Sequence, residues 1–288
     1  MSGVDLKRTA SQIRETIAGW RAARDTIALV PTMGNLHAGH LSLTRLAAEH
    51  ADRVILSIFV NPTQFGVGED FEGYPRTLAE DRALIHRAGT VDALFAPEVG
   101  EIYPNGTGAA FTLGVPPLGS ELCGASRPGH FDGVATVVLR LLNIIAPDLI
   151  VLGQKDYQQL VILERMIADL RLPIGVVSGE TKRDADGLAI SSRNLYLTAE
   201  ERKRAPLLHR TLREVGDRLA SGERDYAALE RAALKRLEQG GFRPDYVEVR
   251  RAGDLGKPNG RHAPEELIVL AAAWLGQARL IDNLRVDV

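Results

Sequence analysis

The sequence predicts an α/β protein: a parallel sheet with helices on both faces, followed by a smaller C-terminal α+β domain. Three observations carry this. Apolar runs of strand length alternate with helical patterns between Thr26 and Phe95, the signature of β-α-β units. The runs are almost continuously apolar, as in strands covered on both faces. After about Ser178 the chain changes to charged segments, amphipathic helices and three further strand patterns. A boundary near 178–187 divides it into domains of 1–180 and 181–288.

The elements follow in order. Leu6, Ile13, Ile17 and Trp20 stand at near-helical spacing and predict a helix over 5–23. Thr26–Val30 reads as a buried strand, with a turn and then a helix from His40 to about Ala51. Arg53–Val60 reads as the next strand, ending in Asn61-Pro62-Thr63-Gln64-Phe65-Gly66. A helix over 77–89 and a strand over 91–95 complete the alternation. Residues 96–133 are rich in Gly and Pro, which predicts irregular chain with short strands near 110–114. Val134–Ile145 is a strongly apolar helix that Pro147 and Asp148 break. Leu149–Leu152 is a buried strand, followed by a helix to about Leu170 and a strand near Ile174–Val177. Thr198 with Glu201 three residues later marks a capped helix start, for helices over 198–221 and 225–240. Asp245–Arg250, Leu267–Trp274 and Arg279–Val286 read as strands.

Bulk properties exclude several function classes. The 288 residues suffice for a substantial core, and a net charge of −2 leaves no global cationic footprint for nucleic acid or anionic lipid. Cys123 is the single cysteine, which excludes an intrachain disulfide and a cysteine-based zinc site and suits a reducing compartment. Charged residues interrupt Met1–Trp20, so it lacks the apolar core of a signal peptide. No uncharged apolar run reaches the ~18 residues of a membrane span.

Chemistry concentrates where strands end. Pro31-Thr32-Met33-Gly34-Asn35-Leu36-His37-Ala38-Gly39-His40-Leu41 joins a strand to a helix start. Its two histidines are three apart, so both imidazoles can share one side of the first turn. Helix N-termini favour anions and glycine permits close approach. The combination suggests a polyphosphate held over the helix start. In parallel sheets ligands sit beyond the carboxyl ends of the strands, which places this segment beside 61–66. Lys155, in the strand-end loop Gly153–Gln159, and Arg193, next to Ser191 and Ser192, are candidate phosphate ligands. Gln64 and Gln159 are amides in strand-end loops, suited to a hydroxy acid or its carboxylate. Asp156 either accepts from ribose hydroxyls or caps the helix beginning near Tyr157. Asn61 reads as closing a turn with Pro62. Glu80 and Asp81 offset a helix dipole, with a Mg²⁺ role for Asp81 as the alternative. His50, His86, His130, His209 and His262 read as surface or structural residues. No His/Asp/Glu set has metal-ligand spacing, and Ser191 and Ser192 sit in no G-x-S-x-G elbow.

Together these residues resemble a known family. P-T-M-G-x-L-H-x-G-H at 31–40 is similar to the HIGH-type motif of adenylate-forming Rossmann-like enzymes, and Ile190-Ser191-Ser192-Arg193-Asn194 to their KMSKS-type loop. Asn61–Phe65, Arg127-Pro128-Gly129-His130-Phe131 and Gly153-Gln154-Lys155-Asp156-Tyr157-Gln158-Gln159-Leu160 narrow the resemblance to the pantothenate synthetases (pantoate–β-alanine ligases). It runs from about residue 11 to Leu280-Ile281-Asp282-Asn283.

The resemblance implies a Rossmann-like ATP- and pantoate-binding domain with a C-terminal lid, in a cytoplasmic homodimer binding neither nucleic acid nor membrane. It implies ATP as substrate, Mg²⁺, and two steps: pantoate and ATP form pantoyl adenylate and pyrophosphate, then β-alanine attacks to give pantothenate and AMP. Met33, Gly34, Asn35, Leu36, His37, Ala38, Gly39 and His40 then line the ATP site. His37 and His40 contact phosphates, with His40 the proton donor. Gly153, Gln154, Lys155 and Asp156 grip ribose and phosphate. Lys182 falls at the adenine edge, and Ile190, Ser191, Ser192 and Arg193 form the second phosphate loop. Gln64 and Gln159 hold pantoate, and Gln64 borders the β-alanine site. Lys155 and Arg193 join the histidines as catalytic residues. Gln154 stands where glutamate is usual, and Lys182 where a small apolar residue is. The competing readings are a nucleotidylyltransferase acting on a phosphorylated acceptor, and a non-catalytic nucleotide sensor or RNA binder on the same fold.

Overall fold

The computed structural model describes residues 4–66, 71–115, 117–259 and 263–286. Two compact units form, one of Met1–Gln154 with Ile162–Glu180, the other of Lys155–Val161 with Thr181–Val288.

The first unit is built on six parallel strands: β1 (Asp5–Lys7), β2 (Ile27–Thr32), β3 (Arg53–Ile58), β4 (Ala93–Phe95), β5 (Leu149–Gly153) and β6 (Gly175–Gly179). Their order across the sheet is β1-β4-β3-β2-β5-β6. From β2 the chain winds outward through β3 and β4, then returns to place β5 on the other side of β2. The switch point therefore falls between β2 and β5, where α/β sheets of this kind open a crevice for ligands. Every residue of β2 from Ile27 to Val30 is fully buried, so both faces of the sheet are covered.

Helices α1 (Ala10–Ala22), α2 (Ala38–His50), α3 (Leu78–Ala88), α4 (Val99–Ile102), α5 (Cys123–Ser126), α6 (His130–Ile145) and α7 (Tyr157–Asp169) complete the count up to Asp169 among the described residues. Ala47 of α2 and Ile85 of α3 pack with Ala28, Val30, Val54 and Leu56 on one face. Ile13 and Ile17 of α1 are buried, and α1 packs against α6. Hydrophobic burial of this kind contributes roughly 25 cal/mol per Å² of apolar surface.

The second unit holds α8 (Ala199–Arg204), α9 (Leu207–Ala220) and α10 (Tyr226–Gln239), with strands β7 (Arg243–Arg251), β8 (Leu267–Leu275) and β9 (Ala278–Arg285) in an antiparallel sheet ordered β7-β8-β9. Leu212, Val215 and Leu219 of α9 and Leu229, Ala233 and Leu237 of α10 join Val269, Ala271 and Ala273 of β8 in one core.

The fold class follows the sequence, and three elements differ in detail. The helix expected over 5–23 begins only at Ala10, because Thr9 caps it, while Asp5–Lys7 pairs in parallel with Ala93–Phe95. The strands expected near 110–114 are absent, and that segment holds no ladder. Its backbone donors are met by α6 instead: Leu113 N–H by Thr136 Oγ1 at 2.8 Å and Val115 N–H by Asp132 Oδ1 at 2.8 Å. The helix expected over 198–221 is two helices, parted where Pro206 cannot donate to the helical ladder.

Candidate active site

At the carboxyl end of β2 the chain turns through the histidine segment. Thr32 Oγ1 donates to Ser57 O at 2.8 Å and accepts from Gly34 N–H at 3.2 Å. Gly34 takes φ +82° and Asn35 φ +50°. A Cβ on Gly34 would sit 3.0 Å from Ile58 Cγ2 and 3.1 Å from Asp81 Oδ2, so this turn needs glycine. Asp81 is 3 % exposed. Its carboxylate accepts from Asn35 N–H at 3.0 Å, Leu36 N–H at 2.7 Å and Thr77 Oγ1 at 3.2 Å. The acid is therefore the anchor of the turn, a role beyond offsetting the dipole of α3.

His37 is the N-cap of α2, and its N–H donates to His40 Nδ1 at 3.3 Å. That bond makes Nδ1 the acceptor and assigns the proton of a neutral ring to Nε2. The two ring centroids are 4.0 Å apart with planes tilted by 30°. A Cβ on Gly39 would come within 3.0 Å of the His37 ring. Both glycines of the segment thus set where the imidazoles stand over the helix start.

Gln64 follows the end of β3 and is buried, 8 % exposed. Asn61 Nδ2 donates to Gln64 Oε1 at 3.1 Å and to Gly133 O at 3.1 Å, and Gln64 Nε2 approaches Met33 Sδ at 3.1 Å. Tyr103 OH donates to Asn61 Oδ1 at 2.8 Å; burial pushes this phenol's pKa up, against the lowering by Thr63 and Arg140. Arg127 Nη1 lies 2.8 Å from His130 Nε2, and His130 Nδ1 lies 2.8 Å from Gln64 O. A guanidinium only donates, so Nε2 accepts and Nδ1–H donates to the Gln64 carbonyl. A Cβ on Gly133 would collide with Thr63 O and lie 2.8 Å from Gln64 Cα. The absence of a side chain there lets α6 press on this loop. Gln154, at the end of β5, donates from Nε2 to Ser178 Oγ at 3.1 Å.

The sequence reads Asn61 as a turn closer and His130 as a surface or structural residue. Asn61, 1 % exposed, does close that turn, its Oδ1 accepting from Thr63 N–H at 3.3 Å, and together with His130, which is structural at 9 % exposed, it also frames Gln64. Their signal lies in the i, i+3 pairs Asn61/Gln64 and Arg127/His130 at element starts.

In the second unit, Lys155, Ser191, Arg193, Asn194, Arg279 and Asp282 line one cavity. Lys155 Nζ is 3.9 Å from Asp156 Oδ1, and the Lys155 carbonyl accepts from Asn283 Nδ2 at 2.9 Å. Ser191 Oγ caps the short helix Ser192–Tyr196 by accepting from Arg193 N–H at 3.3 Å. This helix follows a hairpin in which Ile190 N–H donates to Lys182 O at 2.9 Å and Gly187 turns at φ +94°. The Lys182 side chain is exposed. Arg202 holds the hairpin tip through Asp184 at 2.8 Å and Asp186 at 2.6 Å, and its hydrogen bond is the main cause keeping Asp186 below the usual carboxylate pKa.

At the hairpin base, Arg183 grips Asp282 with two bonds of 2.7 and 2.9 Å. Burial works to raise the Asp282 pKa, but His209, whose Nδ1 is 3.6 Å away, and Arg183 more than offset it and hold the carboxyl below its ordinary value. In the sequence, Asp282 and Asn283 stand out only as the close of a motif.

The candidate residues thus fall into two sets. His37, His40, Gln64 and Gln154 belong to the first unit, and Lys155, Asp156, Gln159, Lys182 and Ile190–Arg193 to the second. Gln159 is half-buried at the start of α7. His262 lies outside the described residues.

A histidine pair on a helix start at a sheet's switch point, with a cationic cavity on a following unit, defines a nucleotide-using enzyme of the parallel α/β type. A family model described as pantoate-beta-alanine ligase matches residues 5–285, and the chain belongs to that family of ATP-dependent ligases. It is 54 % identical over 279 residues to the pantothenate synthetase of Thioalkalivibrio sulfidiphilus, covering 97 % of this chain and 96 % of the relative. The crystal structure of pantothenate synthetase from Thermus thermophilus matches with a TM-score of 0.88 and 43 % identity, covering 98 % of this chain and 99 % of that one. Pantoate-beta-alanine ligase from Francisella tularensis, complexed with beta-gamma ATP and beta-alanine, matches with a TM-score of 0.82 and 31 % identity over 99 % and 98 % of the two chains.

Proposed function

We propose that this chain condenses (R)-pantoate with β-alanine in two steps. In the first, a pantoate carboxylate oxygen bonds to the α-phosphorus of ATP and the bond to pyrophosphate breaks. In the second, the β-alanine amine attacks the acyl carbon, the bond to AMP breaks, and the amine loses a proton. The observation that carries this reading is the buried frame around Gln64, an amide held with both its carbonyl and its side chain fixed beside Met33. An amide fixed in this way suits a small hydroxy acid better than a phosphorylated acceptor.

In this reading Met33–His40 and Gly153–Asp156 bind ATP, with His37 and His40 toward the phosphates and His40 giving a proton. Lys155 and Arg193 neutralise the charge that grows on the departing pyrophosphate. Ser191 and Ser192 add hydroxyl donors, and Ile190 and Lys182 border the adenine through the hairpin backbone. Gln64 and Gln159 orient pantoate, and Gln64 also meets β-alanine. Residues 1–180 bind ATP and pantoate, while 181–288 act as a lid that keeps water from the acyl adenylate.

Among the described residues no group of three or more His, Cys, Asp and Glu side chains could hold a metal ion, and Asp81 is engaged by the backbone of its turn. Mg²⁺ fits this reading as an ion carried by the triphosphate, where phosphate and water oxygens suffice, and it would add charge neutralisation there.

A homodimer and a cytoplasmic home belong to the same proposal. The single cysteine supports the compartment. No helix among the described residues is long and apolar enough to cross a membrane. Light scattering reads the assembly: a mass of one chain would end the dimer.

The function is tested by exchange of labelled pyrophosphate into ATP. Exchange that requires pantoate and proceeds without β-alanine is the expected result. Exchange indifferent to pantoate, or driven by a phosphorylated acceptor, would overturn the reading in favour of a nucleotidylyltransferase.

A further inference from the structure

We propose that Asp282 and Asn283, consecutive residues on edge strand β9, are positioning residues that hold Lys155 and the Ile190–Arg193 loop in one frame. The inference rests on the phosphate-binding roles proposed above for Lys155 and Arg193.

Successive strand residues point to opposite faces. Leu280 and Leu284 belong to the core that α9 and α10 form on the sheet, so Asp282 faces α9 and Asn283 faces away. On the α9 side, Asp282 receives Arg183, which also donates to Gly187 O at 3.2 Å inside the hairpin and to Asn283 O at 3.3 Å around the strand. This hairpin leads straight into Ile190–Arg193. On the other side, the Asn283 amide donates to the Lys155 carbonyl. Asn283 N–H donates to Asp282 Oδ1 at 2.8 Å, so the two residues are tied to each other.

The charge arrangement fits an anion site. Asp282 lines the same cavity as Lys155 and Arg193, where a bare carboxylate would repel a triphosphate. Arg183 covers it with two bonds, which fixes direction as well as charge. Apolar residues could have joined β9 to the hairpin; a bidentate pair sets its orientation. Asp282 is 4 % and Asn283 7 % exposed, so solvent does not loosen either link.

The test measures pantoate-dependent pyrophosphate exchange and thermal melting on the full chain. Asn283→Ala is expected to lower the exchange kcat per folded molecule about tenfold, leave the pantoate KM within about twofold and lower melting only by the few degrees that one lost buried hydrogen bond costs. A purely structural role would lower melting in the same way but leave kcat per folded molecule intact. In a Lys155→Ala background the Asn283→Ala change should add no further loss, because both act through one group. Should Asn283→Ala not fold, Asn283→Asp keeps the size and replaces the donor with an acceptor, and the same loss is expected. Asp282→Asn, which keeps shape but loses charge, should raise the ATP KM. A normal kcat in the Asn283 variants, or independent multiplying losses, overturns the link to Lys155, and an unchanged ATP KM in Asp282→Asn overturns the link to the loop. Full exchange in Lys155→Ala overturns the functional reading and this inference together. Loss in Lys155→Ala with none in the Asn283 variants overturns the positioning alone.

Discussion

The frame around Gln64 and the frame around Lys155 and Arg193 solve one problem with different interactions. Asn61, Tyr103 and His130 hold Gln64 through buried, mostly neutral hydrogen bonds, with Gly133 giving α6 room to close on the loop. The second-unit frame depends on ion pairs, Arg183 with Asp282 at the hairpin base and Arg202 with Asp184 and Asp186 at its tip. A neutral frame shapes a site without altering its field. A charged frame does both, and it must be balanced wherever the site is to receive an anion. The difference teaches that the first frame should respond to changes in volume and the second to changes in charge.

The largest effect separating the two should come from Asp282→Ala. It strands Arg183 beside a buried strand edge, and breaking such a pair costs about 3–5 kcal/mol; denaturant unfolding of the second unit would read it. Acid should act the same way. Asp282 has a folded pKa below its unfolded value near 3.8, so its contribution is present above that value and lost as pH falls through the lower folded one. A second unit that instead loosened between neutrality and pH 5 would point to a different group.

Lys155→Ala is expected next. Removing a charged donor from a developing pyrophosphate costs ~3 kcal/mol, about a hundredfold in exchange rate, with melting unchanged. Gly133→Ala probes the neutral frame by volume alone. Its methyl meets the Thr63–Gln64 backbone, and overpacking of this kind costs about 1–3 kcal/mol. The pantoate KM should rise while the ATP KM holds; the reverse pattern would break the contrast between the two frames. Arg202→Ala should be smallest. Its ion pairs are partly exposed, with the acids 42 % and 44 % accessible, so a loss under about 1 kcal/mol is expected. Added salt should shrink it further.

Legibility followed the range of the interactions. The histidine turn is readable because its apolar strand, glycines and helix start are contiguous, and Lys155 and Arg193 because they sit in motif loops. The first element differs from its expectation because Asp5–Lys7 is a strand only by virtue of its partner Ala93–Phe95. The segment near 110–114 differs because its donors find Thr136 and Asp132 on a later helix. Asp81 reads as a dipole offset or a metal ligand, since nothing near it in the chain reveals the Asn35 and Leu36 amides it accepts.

By itself the sequence determined the alternation of strands and helices, the covered sheet, the change of character after Ser178 and the placing of polar loops at the strand ends. These depend on periodicity and on turn residues, which act over a few positions. Only the tertiary structure decided which residues hold those loops still: Asp81 for the histidine turn, Asn61 and His130 for Gln64, Asp282 and Asn283 for the second unit's cations. Each of these supports spans a long gap in the chain or turns on burial, and a buried polar group declares its partner only once the chain has closed around it.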